Sequence, residues 1–239
     1  MNTLRGSILD LQARLSHLEF RLERLESEHG LGKQDPDLRE RSKSRWRRAP
    51  PNSALTWGKI VTGEDFVTKV AGHGAFGPGK TILEMGPGYG RLLGSILEKR
   101  LQFGSYLGID LSETNVKFLR STFESPRISF AVADAENCEL NIKFDLFISS
   151  LTMKHLHPTF ESALTNLLRF STLGCVIFFD LIEGEGQYFE DDGVTYIRHY
   201  SKDEASSILH NLGLETVSFD YVHHDAEHTR LLVIAEQRI

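Results

Sequence analysis

Along the first 29 residues, Leu4, Ile8, Leu11, Leu15, Leu18, Leu22 and Leu25 recur at alternating steps of four and three. That spacing makes an apolar seam with the heptad period. With Ile8 at position a and Leu11 at d, Arg14 and Arg21 fall at g, and Glu19 and Glu26 at the e positions opposite them in a parallel partner. The pattern predicts a helix that self-associates as a coiled coil through residues 4–25. A single amphipathic helix docked on its own domain would carry the same stripe. Gly30 and Gly32 stop the helix, and "KQDPDLRERSKSRWRRAPPNS" reads as a polar, proline-punctuated basic linker over 30–52.

From residue 53 onward the pattern changes to short apolar runs separated by helical stretches. A helix around Gly63 to Gly72 precedes the strand "TILEM"; a helix over Arg91 to Arg100 precedes "YLGID"; Ser112 is a good cap for "ETNVKFLRSTF". Then come "ISFAVAD", "FDLFISS", a helix from Pro158 to about Ser171, "CVIFFDL", a long loop, a helix from Ser201 to about Leu212, and finally "TVSFDYV" and "RLLVIAEQ". Strands alternating with helices of this length predict an α/β fold with a doubly wound sheet of about seven strands. The sheet should be mostly parallel, with an antiparallel hairpin at its C-terminal edge. The catalytic-size domain is expected over 53–239.

Composition adds little that conflicts. In 239 residues, 40% are hydrophobic and 25% charged, which suits one globular domain with an appendage. Cys138 and Cys175 both lie in strand-like text, so no disulfide framework is implied and a cytoplasmic location is expected. The longest apolar run is too short to span a bilayer. A net charge of −6 makes nucleic acid an unlikely general partner. The local exception is "RERSKSRWRR", Arg39 to Arg48, where six cations face one glutamate. It reads as a solvated connector, or as a contact for anionic lipid, an acidic glycan or another subunit.

The glycine turn "TILEMGPGYGRLL" carries the candidate chemistry. A dinucleotide fingerprint needs glycine at its first, third and sixth places, and counting from Gly86 gives Gly86, Gly88 and then Arg91. The stretch instead supplies a carboxylate, Glu84, two residues ahead of the first glycine, and a further glycine, Gly90. A pyrophosphate at a helix N-terminus wants amide donors and no adjacent anion, whereas a cationic sulfonium with an α-amino group suits a carboxylate.

On these residues "LEMGPGYGR" resembles the first motif of class I S-adenosylmethionine-dependent methyltransferases. "YLGIDLS", "FAVADAENC" and "FDLFISSLTMKHLHP" resemble the second, third and fourth in order. The resemblance implies S-adenosylmethionine as cofactor. Asp110 would bind the ribose hydroxyls with Leu111 beside the adenine, Asp134 would meet the adenine amine with Ala135 and Glu136 next to it, and Ser149 would lie beside the transferable methyl. Trp57 and Phe66, upstream of the first strand, could shield the methionine end or simply pack a helix on the sheet.

The acceptor should lie beyond the fourth strand. His155 falls where many small-molecule enzymes of this class have histidine; with His157 it is a candidate general base or acceptor-orienting residue. In the long loop after the fifth strand, Tyr196, Arg198 and His199 are candidate substrate contacts, while Tyr200 and Ser201 could just cap the next helix. His223, His224 and His228 could reach the same mouth or lie in solvent. Asp180, Glu183, Glu185, Asp191 and Asp192 could furnish oxygen ligands for magnesium. Metal-dependent catechol-type members, however, carry an aspartate where this chain has Ser149 and Ser150, so no metal is expected. "SSLT" also departs from the motifs of DNA-amino and protein-arginine enzymes. By analogy with bacterial glycan-modifying enzymes, the expected reaction is O-methylation of a small molecule, with a saccharide hydroxyl as the leading acceptor. An assembly module carrying a methyltransferase fold, and an RNA methyltransferase using the basic linker as an arm, are the alternatives.

Overall fold

The computed structural model describes residues 36–48, 63–190, 195–222 and 229–237. The heptad stretch 4–25, Trp57, Asp191, Asp192, His223, His224 and His228 lie outside them. Nine strands and six α-helices are present among the described residues. The strands are β1 (Gly77–Met85), β2 (Phe103–Asp110), β3 (Ile128–Val132), β4 (Phe144–Ser149), β5 (Ser171–Glu183), β6 (Gln187–Phe189), β7 (Tyr196–Tyr200), β8 (Leu214–Val222) and β9 (Arg230–Gln237). The helices are α1 (Pro36–Arg47), α2 (Glu64–Gly72), α3 (Arg91–Glu98), α4 (Glu113–Phe123), α5 (Glu161–Leu168) and α6 (Lys202–Asn211).

The main sheet runs β3-β2-β1-β4-β5, all parallel, and continues antiparallel through β9 to β8. The doubly wound α/β fold with an antiparallel C-terminal hairpin is therefore as expected, with β9 inside and β8 at the edge. Neighbouring strand residues feed opposite cores, as the two-residue period requires. Leu83, Phe147 and Phe179 join one cluster with α5 and α6, while Ile82, Ile148 and Phe178 join the other with α2, α3 and α4. Phe66 is wholly buried in the second cluster. It packs α2 on the sheet and does not line the pocket.

Two segments differ from the sequence expectation. The stretch after β5 holds a ribbon, β6 paired antiparallel with β7, and β7 extends the end of β5 in parallel at Ile182 and Glu183. The other is the basic stretch, where residues 36–47 form α1. Proline at its first position suits a helix start, and Arg45 and Arg47 in the last turn suit the negative end of the helix dipole. Helices α4 and α6 start as the sequence indicates: Ser112 accepts from the Asn115 amide at 3.2 Å, and Ser201 from the Glu204 amide at 3.1 Å. Among the described residues, no helix is long and apolar enough to cross a membrane.

Candidate active site

The order β3-β2-β1-β4-β5 reverses direction between β1 and β4, and at such a switch point the carboxyl ends of the strands diverge and leave a crevice. A cavity of about 240 Å³ occupies it. Its floor is the β1–α3 turn, its far side the ends of β2 and β3, its near side the segment after β4, and its roof helix α1.

The turn is shaped by glycine. Gly86 has φ of 71° and donates to the Ile109 carbonyl at 2.8 Å, and a Cβ there would stand 2.3 Å from Thr152 Oγ1. Gly88 has φ of 59°, a conformation side chains avoid, and its open side faces no protein atom within 4 Å. Its amide donates to Asp110 Oδ2 at 3.0 Å. Gly90 closes the turn on the Pro87 carbonyl at 2.8 Å and leads into α3.

Asp110 ends β2, largely buried. Its Oδ1 accepts from the Ser112 amide at 2.8 Å and from Asn115 Nδ2 at 3.4 Å. Burial pushes its carboxyl upward, and the donors from Ser112, Gly88 and Asn115 oppose that rise. Glu84, 2% exposed, accepts a 2.5 Å hydrogen bond from the Tyr106 hydroxyl. Burial lifts its carboxyl from 4.5 to about 7, against the Tyr106 bond and the Arg91 charge.

Three observations test whether the expected cofactor suits these residues. Asp110 keeps one lone pair, on Oδ2, beyond its three protein donors, enough for one ligand hydroxyl. Beside it, Asn115 Oδ1 is buried with no hydrogen-bond partner among the described residues, an acceptor awaiting a donor. Glu84 is a buried anion at the pocket floor that a ligand ammonium would compensate. The acceptor set fits a ribose and an α-amino group. Leu111, Asp134, Ala135 and Glu136 line the same cavity toward β3.

Helix α1 closes over that end. Lys43 Nζ lies 2.7 Å from Asp134 Oδ2 and also pairs with Glu136, and Arg39 lies 2.8 Å from Glu136. Arg39 and Lys43 are thus engaged by acids beyond β3, and Arg47 by Glu40 of its own helix. Ser42 Oγ donates to the His155 carbonyl at 3.1 Å, and the Trp46 ring lies tilted against that of His155 with centroids 4.4 Å apart. An aromatic roof was expected from Trp57; Trp46 supplies one. The text "SKSRWRR" has no apolar stripe, so nothing local marked these residues as a docked helix.

His155 sits in a 3₁₀ turn, Met153–His155, and lines the cavity with His157. Its Nδ1 is 2.7 Å from the Tyr196 carbonyl. A carbonyl only accepts, so Nδ1 carries the hydrogen and the basic lone pair of the neutral ring lies at Nε2. His157 is buried edge-on against the Tyr196 ring at 5.0 Å.

Other expected contacts lie elsewhere. Ser149 is wholly buried and donates to the Met85 carbonyl at 2.9 Å, tying β4 to β1 instead of lining the cavity, because the last residue of β4 points into the sheet interior. Tyr196 is a core residue whose hydroxyl bonds Gln187 Oε1 at 2.6 Å. Arg198 binds Gln187 at 2.8 Å and pairs with Glu204, and His199 packs on Tyr188. None of these three lines the cavity, since β7 turns them toward β6 and α6; Glu190 and Thr195, at the loop ends, reach it instead. Of the acids weighed as magnesium ligands, Asp180 pairs with Arg230 and accepts from Ser150 at 2.6 Å and the Leu151 amide at 2.7 Å. Glu183 lies within 4.0 Å of Lys202. The sequence assigned no role to Arg91, Tyr106, Asn115 or Lys154 and offered Ser150 only beside the histidines; Arg91, Tyr106, Ser150 and Lys154 all lie within the motif stretches, Arg91 in the place of the absent third fingerprint glycine.

Residues 82–173 match a family model described as "Methyltransferase domain". The chain is 34% identical over 92 residues to the phthiotriol/phenolphthiotriol dimycocerosates methyltransferase of Mycobacterium leprae, covering 38% of this chain and 33% of that one. It is 32% identical over 108 residues to the malonyl-[acyl-carrier protein] O-methyltransferase of Acetivibrio thermocellus, covering 42% and 38%. The chain thus spans little more than a third of the length of these curated relatives. A solved structure of Burkholderia thailandensis 1,6-didemethyltoxoflavin-N1-methyltransferase, holding its substrate and S-adenosylhomocysteine, superposes with a TM-score of 0.66 at 17% identity, over 84% of this chain and 88% of that one. At that identity the likeness is one of fold, and the fold is that of S-adenosylmethionine-dependent methyltransferases.

Proposed function

With a methyltransferase domain over residues 82–173 on this fold, we propose that the protein is an S-adenosylmethionine-dependent methyltransferase that methylates an oxygen of a small-molecule acceptor, a saccharide hydroxyl being the leading candidate. The carrying observation is one cavity that joins Glu84, the Gly86–Gly88 turn, Asp110 and Asp134 on one side with His155 on the other. The relatives' names give different acceptors, phthiotriol or phenolphthiotriol dimycocerosates and malonyl-[acyl-carrier protein], so they do not supply the acceptor, and the saccharide comes from the resemblance of the sequence to bacterial glycan-modifying enzymes.

S-adenosylmethionine supplies an electrophilic methyl on a sulfonium. The chain's own residues bind, orient and dry the site. Asp110 and Asn115 would hold the cofactor's ribose and Glu84 its ammonium, with the Lys43–Asp134 pair framing the end toward β3. The α1 roof keeps water from the centre, which raises the value of alignment in a displacement that needs nucleophile, methyl and sulfur in line. His155 Nε2, held by the Tyr196 carbonyl through Nδ1, takes the proton of an acceptor hydroxyl. His157 orients the acceptor beside it. Self-association through residues 4–25 belongs to the same reading.

Incubation with methyl-deuterated S-adenosylmethionine and a panel of saccharides, polyols, phenols and amines tests this. Mass spectrometry should find a labelled methyl ether. A labelled methylamine instead would overturn the oxygen assignment, and no labelled product with any acceptor would count against turnover.

A further inference from the structure

Helix α1 presents one face to the cavity. Arg39, Ser42, Lys43 and Trp46 fall at i, i+3, i+4 and i+7, the spacing of neighbours along one side of a helix, and all four line the cavity. The row runs about 10 Å along the helix axis. At one end Arg39 and Lys43 are held by Asp134 and Glu136, beyond β3. At the other, Ser42 and Trp46 meet a single residue, His155. The Ser42 hydroxyl donates to the backbone carbonyl of His155, the Tyr196 carbonyl holds ring Nδ1, and the Trp46 indole lies against the ring itself. Each contact fixes a different part of the residue: its main chain, the rotation of its ring and the plane of its ring.

The Trp46 contact is close. Aromatic centroids usually stand roughly 4.5 to 7 Å apart, whereas these are 4.4 Å apart with their planes at 48°. The indole Nε1 is buried with no hydrogen-bond partner among the described residues, so what tryptophan brings to this place is its ring. A tryptophan face carries negative potential and attracts a cation within about 6 Å of its centre, more strongly than phenylalanine does. An imidazolium therefore gains more from it than a neutral imidazole. We propose that Trp46 is a positioning residue for His155, fixing the plane of the imidazole and favouring the imidazolium formed when the ring takes the acceptor's proton. This rests on the general-base role of His155 given above. In that step the acceptor O–H gives its proton to Nε2, the oxygen's electron pair bonds the methyl carbon, and the carbon–sulfur pair stays with sulfur. Positive charge thus passes from the sulfonium to the imidazole, beside the indole. Other charged and titratable groups face the turn that carries His155: Arg45 of α1, whose guanidinium stands 5.5 Å from the same indole, Lys154, His157, Glu190, Asp180 of β5 and Tyr196 of β7. All six remain when Trp46 alone is changed, so Trp46 variants isolate the indole. Docking of α1 thereby completes the base as well as roofing the cavity.

Titration of His155 by NMR in the full chain tests this without any acceptor, its ring resonance being the one absent from a His155→Gln spectrum. Trp46→Leu should lower the titration midpoint of His155 by about half a pH unit or more, and Trp46→Phe by less. Tryptophan fluorinated on its benzo ring keeps its shape and loses the negative potential of its face. Wild type grown with it should show the same fall, and Trp46→Phe grown with it should show no further change. A favoured imidazolium means a higher midpoint, and a general base works above its midpoint. With a hydroxyl acceptor, the acid limb of kcat should therefore move to lower pH in Trp46→Leu, while the plateau falls several-fold and KM changes less. One midpoint shared by wild type, Trp46→Leu and the fluorinated protein overturns the proposal. Should Trp46→Leu fail to fold or release α1, the fluorinated protein decides, because its roof keeps its shape. A methylamine product together with an intact midpoint difference would overturn the general base and not the contact.

Discussion

Glu84 is the residue whose environment makes the sharpest demand on the rest of the site. Burial holds its carboxyl at about 7, above its ordinary 4.5. A raised acid binds more protons folded than unfolded, so its ionisation costs stability as pH rises from 4.5 toward 7, by roughly 3 kcal/mol once complete. Thermal unfolding should accordingly show Glu84→Gln gaining on wild type as pH is raised through that window and differing least near pH 4.5. A ligand ammonium prefers the ionised form, so affinity for S-adenosylhomocysteine should fall as pH drops below about 7, and Glu84→Gln should flatten that slope. At His155 the expectation is kinetic: His155→Ala should lower turnover of a hydroxyl acceptor by about 10²- to 10⁴-fold. S-adenosylhomocysteine affinity should stay nearly unchanged in that variant. Turnover preserved in it would remove the general base. Glu84, Asp110 and His155 were legible in the sequence because motif spacing places them at strand ends and in the turn after β4. Arg91 and Asn115 were not, because each is recognised only once β4 or Asp110 stands beside it.

Helix α1 is where local and tertiary signals part. Ser112 and Ser201 announce their helices because a cap is a contact between residues three apart. Nothing of that kind marks 36–47, whose partners Asp134, Glu136 and His155 are about 90 to 115 positions away and whose attachment is ionic more than apolar. The β6–β7 ribbon escaped notice for a related reason: Gly184, Gly186 and the acids around them read as loop, and pairing with the end of β5 supplies the order. That ribbon turns Tyr196 into the core and carries its carbonyl to His155, so a residue expected to touch substrate acts one bond behind it. If ion pairs hold the roof, Lys43→Ala should release it while the sheet stays intact. Hydrogen exchange of the α1 amides should quicken by about fivefold or more, the value of the two partly shielded pairs that Lys43 makes. Exchange in β1 should not change. Equal protection of α1 in both proteins would mean that Arg39, Ser42 and Trp46 hold it without Lys43.

For the whole chain, the period-two strands and intervening helices made the doubly wound sheet legible, including its antiparallel end, because each buried strand shows its character locally. Which loops meet above the switch point is a property of the assembled sheet. The end of the cavity proposed for the acceptor, lined by α1, the turn after β4 and the ends of the β6–β7 loop, was therefore only partly visible. Self-association through the heptad stretch is a proposal of the same reading, and light scattering of a protein lacking residues 1–29 should give a lower oligomeric mass than the full chain; an unchanged mass would dismiss the coiled coil. Cofactor recognition is independent of that outcome and is what the account most depends on. Calorimetric titration with S-adenosylhomocysteine tests it directly. Saturable one-to-one binding is predicted, weakened about 10-fold or more by Asp110→Asn, which removes a charged acceptor while keeping the shape. No detectable heat of binding by the folded wild-type chain would contradict the account.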